Sequence, residues 1–403
     1  MKKILLSVVA AAMFATNLWA IEKADDTMNP LITAMPSLSI APDARSAGMG
    51  DIGVATDADL NSQYWNPAKF AYMQSKGGIT ANYTPWLRKL GVTDIDLAHI
   101  EGYYNFGDLA GGIGASFTYF SMGEVQLTGA DPDVPLGTCQ PNEWALDVSY
   151  YRKLHEYVSM AVALRFMYSD LNNNMYMSGT GYDNNMHAAW TMAADIALYY
   201  HQPIQIPMGT SYFSLGLNLS NLGGKMSYTD DIRNFIPATM RIGANYELPF
   251  DKYNSLTFSL EADKMMVPSR KSRLTEGFDP EDENTWQMSP DAYSKLNPVK
   301  GIFWSFADAP RGAKEEFNEV RWGAGLEYSY NKQFFARFGY SYENFYKGNR
   351  NYLTVGAGFH LSIFSLDVAY CIGLAASNPL DQTMRFTVGF DLAGIKDLVN
   401  NRR

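Results

Sequence analysis

Cysteine is nearly absent from the 403-residue chain: there are two, Cys139 and Cys371, and neither stands immediately after the cleavage site expected near residue 20, so a lipid anchor is not expected. After the first twenty residues no stretch holds the roughly 20 continuous apolar residues that a membrane helix requires, which excludes helical spanning. Basic residues are in the minority, 32 against 42 acidic, with no basic stripe, so nucleic acid is not an expected partner. The five histidines, His99, His155, His187, His201 and His360, are dispersed, and none makes the His-x-x-x-His spacing of a helix-borne metal site. No Gly-x-Ser-x-Gly elbow supplies a hydrolase nucleophile, and no Gly-Lys-Ser or Gly-Lys-Thr follows the glycine cluster at 48–53. Catalytic residues, cofactor and metal are therefore all expected to be none.

What the chain has in abundance is alternation. Leu353, Val355, Ala357, Phe359 and Leu361 interleave with Tyr352, Thr354, Gly356, Gly358 and His360, and Met384, Phe386, Val388, Phe390 and Leu392 interleave with Arg385, Thr387, Gly389 and Asp391. Successive strand side chains point to opposite faces, so each such segment has an oily and a polar side. The composition, 47% hydrophobic and 14% aromatic with a mean hydropathy of −0.20, matches strands that are greasy on one face only. The expected fold is all-β, an antiparallel transmembrane outer-membrane barrel.

The period of two predicts fourteen strands, near 78–87, 92–106, 110–121, 142–153, 156–170, 185–201, 211–221, 238–248, 253–267, 317–330, 332–346, 350–361, 363–374 and 382–392. With both ends of the chain on the periplasmic side, the inner connections are short: 107–108, 154–155, 202–210, 249–252, 331–332 and 362. The outer ones are generally longer, at 122–141, 171–184, 222–237, 268–316 and 375–381, which is the asymmetry of bacterial outer-membrane barrels. Strand parity turns Arg165, Arg241, Glu247, Glu261, Arg321, Glu327, Arg337 and Arg385 into the lumen, where they can pair instead of facing lipid. Segment 92–106 fits less well, because His99 and Glu101 share parity with Ile95 and Leu97. A bulge, or an early exit from the membrane, is expected there.

Residues 1–20 read as a secretory signal: Lys2 and Lys3, an apolar run from Ile4 to Phe14, and Leu18-Trp19-Ala20 before the cut. Loss of the two lysines takes the net charge from −10 to −12. Residues 21–77 lack alternation but hold small residues and glycines that suit close packing, as a plug inside the barrel of residues 78–392 requires. Residues 393–403 are expected to form a short periplasmic tail.

Ala44-Arg45-Ser46-Ala47-Gly48-Met49-Gly50, Gly53-Val54-Ala55 and Trp65-Asn66-Pro67-Ala68, ahead of fourteen strands, resemble the hatch of FadL-type outer-membrane proteins. Leu38-Ser39-Ile40-Ala41-Pro42-Asp43-Ala44-Arg45 and Asn82-Tyr83-Thr84-Pro85-Trp86-Leu87 look more narrowly like the PorV family, outer-membrane shuttle components of the Bacteroidetes type IX secretion system. The resemblance implies a non-enzymatic protein of the bacterial cell outer membrane. Its partners would be a large outer-membrane translocon protein, the C-terminal signal domains of secreted cargo, a sortase-like surface attachment complex, and membrane lipid. The hatch positions would be Arg45, Gly48, Gly50, Gly53, Trp65, Asn66 and Pro67. Two other readings stand beside it: a FadL-like transporter of hydrophobic small molecules, and a lipopolysaccharide-modifying deacylase.

Loop 268–316 is the residue-level candidate for contact. A long loop without regular structure is usually functional or disordered, and Ile302, Phe303, Trp304 and Phe306 cluster within it. They either insert into a partner or fold back over the barrel mouth as a lid core. Cys139 and Cys371 both fall on the oxidising outer side, which permits a disulfide between them.

Overall fold

In a computed structural model, residues 28–392 are described apart from 108–109, 129–134, 174–175, 178–185, 362, 376–377 and 379. The expected signal at 1–20 and tail at 393–403 lie outside the described residues. Fourteen antiparallel strands close into a barrel. They are β1 (Gly77–Pro85), β2 (Ile95–Gly107), β3 (Gly111–Met122), β4 (Asn142–His155), β5 (Val158–Asp170), β6 (Ala189–Ile206) and β7 (Gly209–Gly223). The second half contributes β8 (Thr239–Pro249), β9 (Asn254–Met265), β10 (Val320–Tyr330), β11 (Phe334–Tyr342), β12 (Tyr352–His360), β13 (Phe364–Gly373) and β14 (Met384–Asp391). Each strand pairs with its chain neighbours, and β1 closes the ring on β14 from Gly78↔Asp391 to Tyr83↔Phe386.

The register follows from the alternation, because a slip of one residue would turn every charge onto the lipid face. On β10, Trp322, Leu326 and Tyr328 face out, while Glu327 and Ser329 are buried inside. Turn chemistry assists at the inner end: Asn331 and Lys332 both take positive φ, 55° and 52°, and Gln333 N–H donates to Tyr330 O at 3.0 Å.

Several boundaries differ from the sequence expectation, each for a local reason. β2 carries no bulge between Ile95 and Asn105; its register shift lies at Asn105/Gly107. Leu97, His99, Glu101 and Tyr103 all point inward, because that stretch of wall packs against the N-terminal segment rather than water, so apolar and polar residues share one face. The connection expected at 202–210 is two residues, 207–208, since β6 and β7 continue pairing to Ile206↔Gly209. Strand β10 begins at Val320, not 317, because Ala313–Asn318 forms a helix, and β11 ends at Tyr342 before a 3₁₀ turn at Phe345–Lys347.

The two cysteines do not pair; both are free and buried. Cys139 ends a short strand, Pro135–Cys139, that pairs with Val125–Thr128 outside β3, whereas Cys371 sits on β13 against Tyr352 and Leu380. Four strand spacings of roughly 4.8 Å separate β13 from β3, far beyond the ~7 Å Cα reach of a bridge. Denatured, unreduced protein is expected to take up two alkyl groups, and a chain that takes none would carry the bridge.

Candidate functional site

The N-terminal segment is built from short turns that present backbone and side-chain polar groups in all directions. Asp43 caps the helix α1 (Ala44–Ala47), accepting from Ser46 N–H at 2.8 Å, and its other oxygen accepts from Trp65 Nε1 at 2.6 Å at the end of α2 (Ser62–Trp65). Burial pushes the Asp43 carboxyl up and the Lys69 ammonium down from their ordinary ranges. Lys69 is held by Gly53 O and Thr56 Oγ1, both at 2.9 Å. Asn66 donates to Val54 O and Leu198 O at 2.9 Å while accepting from Ala68 N–H, and Pro67 starts a 3₁₀ helix, Pro67–Tyr72.

Two glycines permit approaches that a side chain would block. Gly50, at φ +84°, lies so near the backbone of Tyr340 on β11 that a Cβ would sit 2.8 Å from its carbonyl oxygen. Gly53 is capped by the Trp65 ring, 2.4 Å from where a Cβ would be. Gly48 faces Gly356 of β12, with a Cβ position 3.1 Å from that Cα.

Contacts from this segment reach all fourteen strands. Asn61 accepts from Asn82 on β1, Phe70 stacks on Tyr103 of β2 at 4.7 Å, and Gln63 lies between Gly114 on β3 and Ser149 on β4. Ala68 O accepts from Ser159 on β5, Asn66 donates to Leu198 O on β6, Trp65 O accepts from Asn218 on β7, and Asp57 accepts from Asn245 on β8. Gly53 and Val54 N–H groups both reach Glu261 Oε2 on β9 at 2.8 Å. Arg45 meets Glu327 on β10, Gly50 crosses β11 and donates to Thr354 on β12, and Ala44 and Ala47 pack on Ala369 of β13. Ala44 N–H donates to Thr387 on β14. A segment that touches the inner face of every strand of a closed ring lies within its lumen.

The lumenal charges pair across this boundary. Glu327 accepts from Arg45 at 3.1 and 3.2 Å and from Arg337 Nε at 2.6 Å, while Arg337 also reaches Asp367 at 2.6 Å and Arg45 reaches Asp59 at 2.8 Å. Arg385 binds Asp51 at 2.7 Å, and Arg321 binds Asp263 and donates to Asp51 O at 2.8 Å. Arg165 bridges Asp147 and Asp195 at 2.5 and 3.0 Å. Arg241 lies over the rings of Tyr64 and Trp65, 5.2 and 5.5 Å from their centroids, and Glu247 is buried beside the inner cavity. Each buried charge is costly alone and tolerable when paired and hydrogen-bonded.

The segment separates two cavities. The outer one, about 170 Å³, is lined by Arg241, Arg321, Arg350, Arg385 and Lys347 among Asp51, Asp263, Glu319 and Glu343, with Tyr64 and Trp65 as floor. The inner one, about 340 Å³, is lined by Asp57, Asp59, Glu247, Asp367 and Asp391 with Lys332 and His360.

Above the outer cavity, residues 266–319 are not irregular. They hold α3 (Pro290–Lys295), α4 (Pro298–Trp304) and α5 (Ala313–Asn318), because Ser289 and Asn297 cap the first two and Pro290 and Pro298 occupy their first turns. The four-residue apolar cluster divides. Gly301 packs on Phe235, Ile302 is half-buried, and Phe303 is 72% exposed, with Trp304 and Phe306 also exposed. The core beneath the loop consists instead of Phe235, Val267, Met288 and Tyr293.

Sequence reasoning missed Asp43, Asp51, Asp59 and Lys69, whose partners lie on the wall or in distant turns and leave no periodic trace. It also missed the stack of Tyr199, His201 and Tyr212. His201 Nδ1 meets Ser214 Oγ at 2.9 Å, but Ser214 is fully buried at that stack and so offers no accessible nucleophile.

The sequence model of a family described as type IX secretion system protein PorV matches residues 22–272. No curated protein matches. Among solved structures, a TodX ΔS2S3 mutant monoaromatic hydrocarbon channel aligns at 10% identity and a TM-score of 0.50, over 86% of this chain and 96% of its own. The Ralstonia pickettii toluene transporter TbuX aligns at 12% identity and 0.46, over 86% and 97%, and a Pseudomonas aeruginosa FadL homologue at 10% and 0.40, over 91% and 100%.

Proposed function

This chain belongs to the PorV family of type IX secretion system proteins, and from that premise we propose that it is a non-enzymatic carrier that works at the outer face of the membrane. It is an outer-membrane β-barrel, and its role lies in type IX secretion. In this reading it binds the large translocon protein, takes cargo by its C-terminal signal domain and passes it to the surface attachment complex. The family match carries the reading. The occupied lumen supports it: residues 28–76 act as a plug, so cargo engages the outer cavity and loop 266–319 rather than crossing the barrel.

Phe303 and Phe306 are the exposed aromatic anchors that a partner pocket would desolvate, and such residues dominate interface energetics. Replacing both by Ser is expected to lower recovery of the translocon from gently solubilised membranes about tenfold, the equivalent of 1.4 kcal/mol. Undiminished recovery with a folded barrel rejects this contact. The transporter reading rests on the FadL-like fold and makes the opposite prediction: a free barrel that co-purifies with fatty acid.

A further inference from the structure

Where loop 266–319 returns to the wall, three carboxylates converge on the outer rim. Asp308, Glu316 and Glu319 each place one oxygen within 4.8 Å of the others. Lys264, at the top of β9, reaches Glu316 and Glu319 at 3.1 and 2.6 Å, and Lys347 reaches Glu319 and Glu315 at 3.0 and 2.6 Å. Backbone and hydroxyl donors complete the glutamates: Ala309 N–H to Glu316 at 2.7 Å and Ser269 Oγ to Glu319 at 3.2 Å. Asp308 is different. Its Oδ2 accepts from Ser269 N–H at 2.7 Å, but its Oδ1, on a side chain with 0% exposure, has no hydrogen-bond partner. Neither lysine is paired with it.

An orphaned, fully buried carboxylate oxygen beside two other carboxylates needs a positive neighbour, since burial of an unpaired polar atom is costly. Glu315, Glu316 and Glu319 are hydrogen-bonded to two ammonium groups and Asp308 to neither, so four carboxylates face two cations and one divalent cation would balance the difference. We propose that Asp308, Glu316 and Glu319 bind one Ca²⁺. The donors are all hard oxygens, with no thiol or imidazole to favour zinc or copper. Ca²⁺ takes oxygens at roughly 2.3–2.6 Å, so ligands on opposite sides lie about 5 Å apart and this triad already falls within reach. Bound there, the ion ties residue 308 of the loop to α5 and to Glu319, which also lines the outer cavity. It would thereby fix the rim of that cavity, independently of which partner uses it.

The test is calorimetric titration of the full-length, detergent-solubilised protein with CaCl₂ after chelator treatment. One Ca²⁺ per chain with a sub-millimolar Kd is expected, weakened at least tenfold in both Asp308→Asn and Glu316→Gln, with folding of each checked by heat-modifiable gel migration. Should either variant fail to fold, the other decides. Proteolysis after Lys295 and Lys300 in the unaltered protein provides a second readout, with Ca²⁺ expected to slow cleavage several-fold. The proposal is overturned by no saturable binding up to about 10 mM, ten times above the weakest extracellular calcium sites, or by unchanged affinity in both variants.

Discussion

Replacing Glu327 by Leu is expected to destabilise the folded barrel by about 3–5 kcal/mol, the range seen when one member of a buried ion pair is removed. Glu327 is 4% exposed and is shared by two guanidinium groups, Arg45 of the N-terminal segment and Arg337 of β11. Its loss leaves Arg45 with Asp59 and Arg337 with Asp367, so two buried cations each lose the partner between them. The neutral side chain adds apolar volume but satisfies none of the donors. Urea unfolding in detergent, followed by loss of the heat-modifiable band, would read the shift. Adding Arg45→Met and Arg337→Met to Glu327→Leu should not recover the loss, because Asp59 and Asp367 would then lose their own cations. An unfolding midpoint for Glu327→Leu equal to the parent would show that this triad contributes nothing to holding the lumen together.

The second large effect concerns the segment rather than the wall. Gly50→Val is expected to expel residues 28–76 from the lumen while the strands remain closed. The residue sits at φ +84°, where a β-branched side chain costs of the order of 1–3 kcal/mol. Its Cβ would also stand 2.8–3.0 Å from the Tyr340 N, C and O atoms. That neighbour is backbone in a hydrogen-bonded ladder and cannot swing aside, so the segment has to leave. Trypsin cleavage at Arg45 and Lys69 should rise about a hundredfold, the factor that ~2.7 kcal/mol of local opening implies, and ion conductance should appear in planar bilayers. Gly91→Ala is the control: φ is +79° there too, but nothing lies within 4 Å of the added carbon, so strain is present without the clash. Protected, silent Gly50→Val protein would mean that the close approach at β11 does not hold the segment in place.

The wall was nearly all readable in advance, and particular residues show why. Leu326, Tyr328 and Phe338 face out and Glu327, Ser329 and Arg337 face in, because a strand has a strict period of two and lipid and lumen demand opposite chemistry. The short inner turns and long outer loops followed from the same spacing. Where a strand met something other than lipid and water, the rule weakened. Leu97 and His99 share a face on β2 because the inner neighbour there is the packed N-terminal segment. Ile302, Phe303, Trp304 and Phe306 were read as one cluster, yet within a single helical turn Ile302 is half-buried while Phe303 stands exposed.

Local pattern alone determined the barrel, its strand number and its polarity, because alternation is a property of neighbours in the chain and lipid selects one face of it. Tertiary structure alone decided how the lumen is filled, that Arg45 joins Asp59 to Glu327, that the thiols stay apart, and that Asp308, Glu316 and Glu319 meet at the rim. Arg45 and Glu327 are 282 positions apart and meet only once closure of the ring brings the inner faces around one segment, while Asp308, Glu316 and Glu319, though near in sequence, converge through loop contacts with no period.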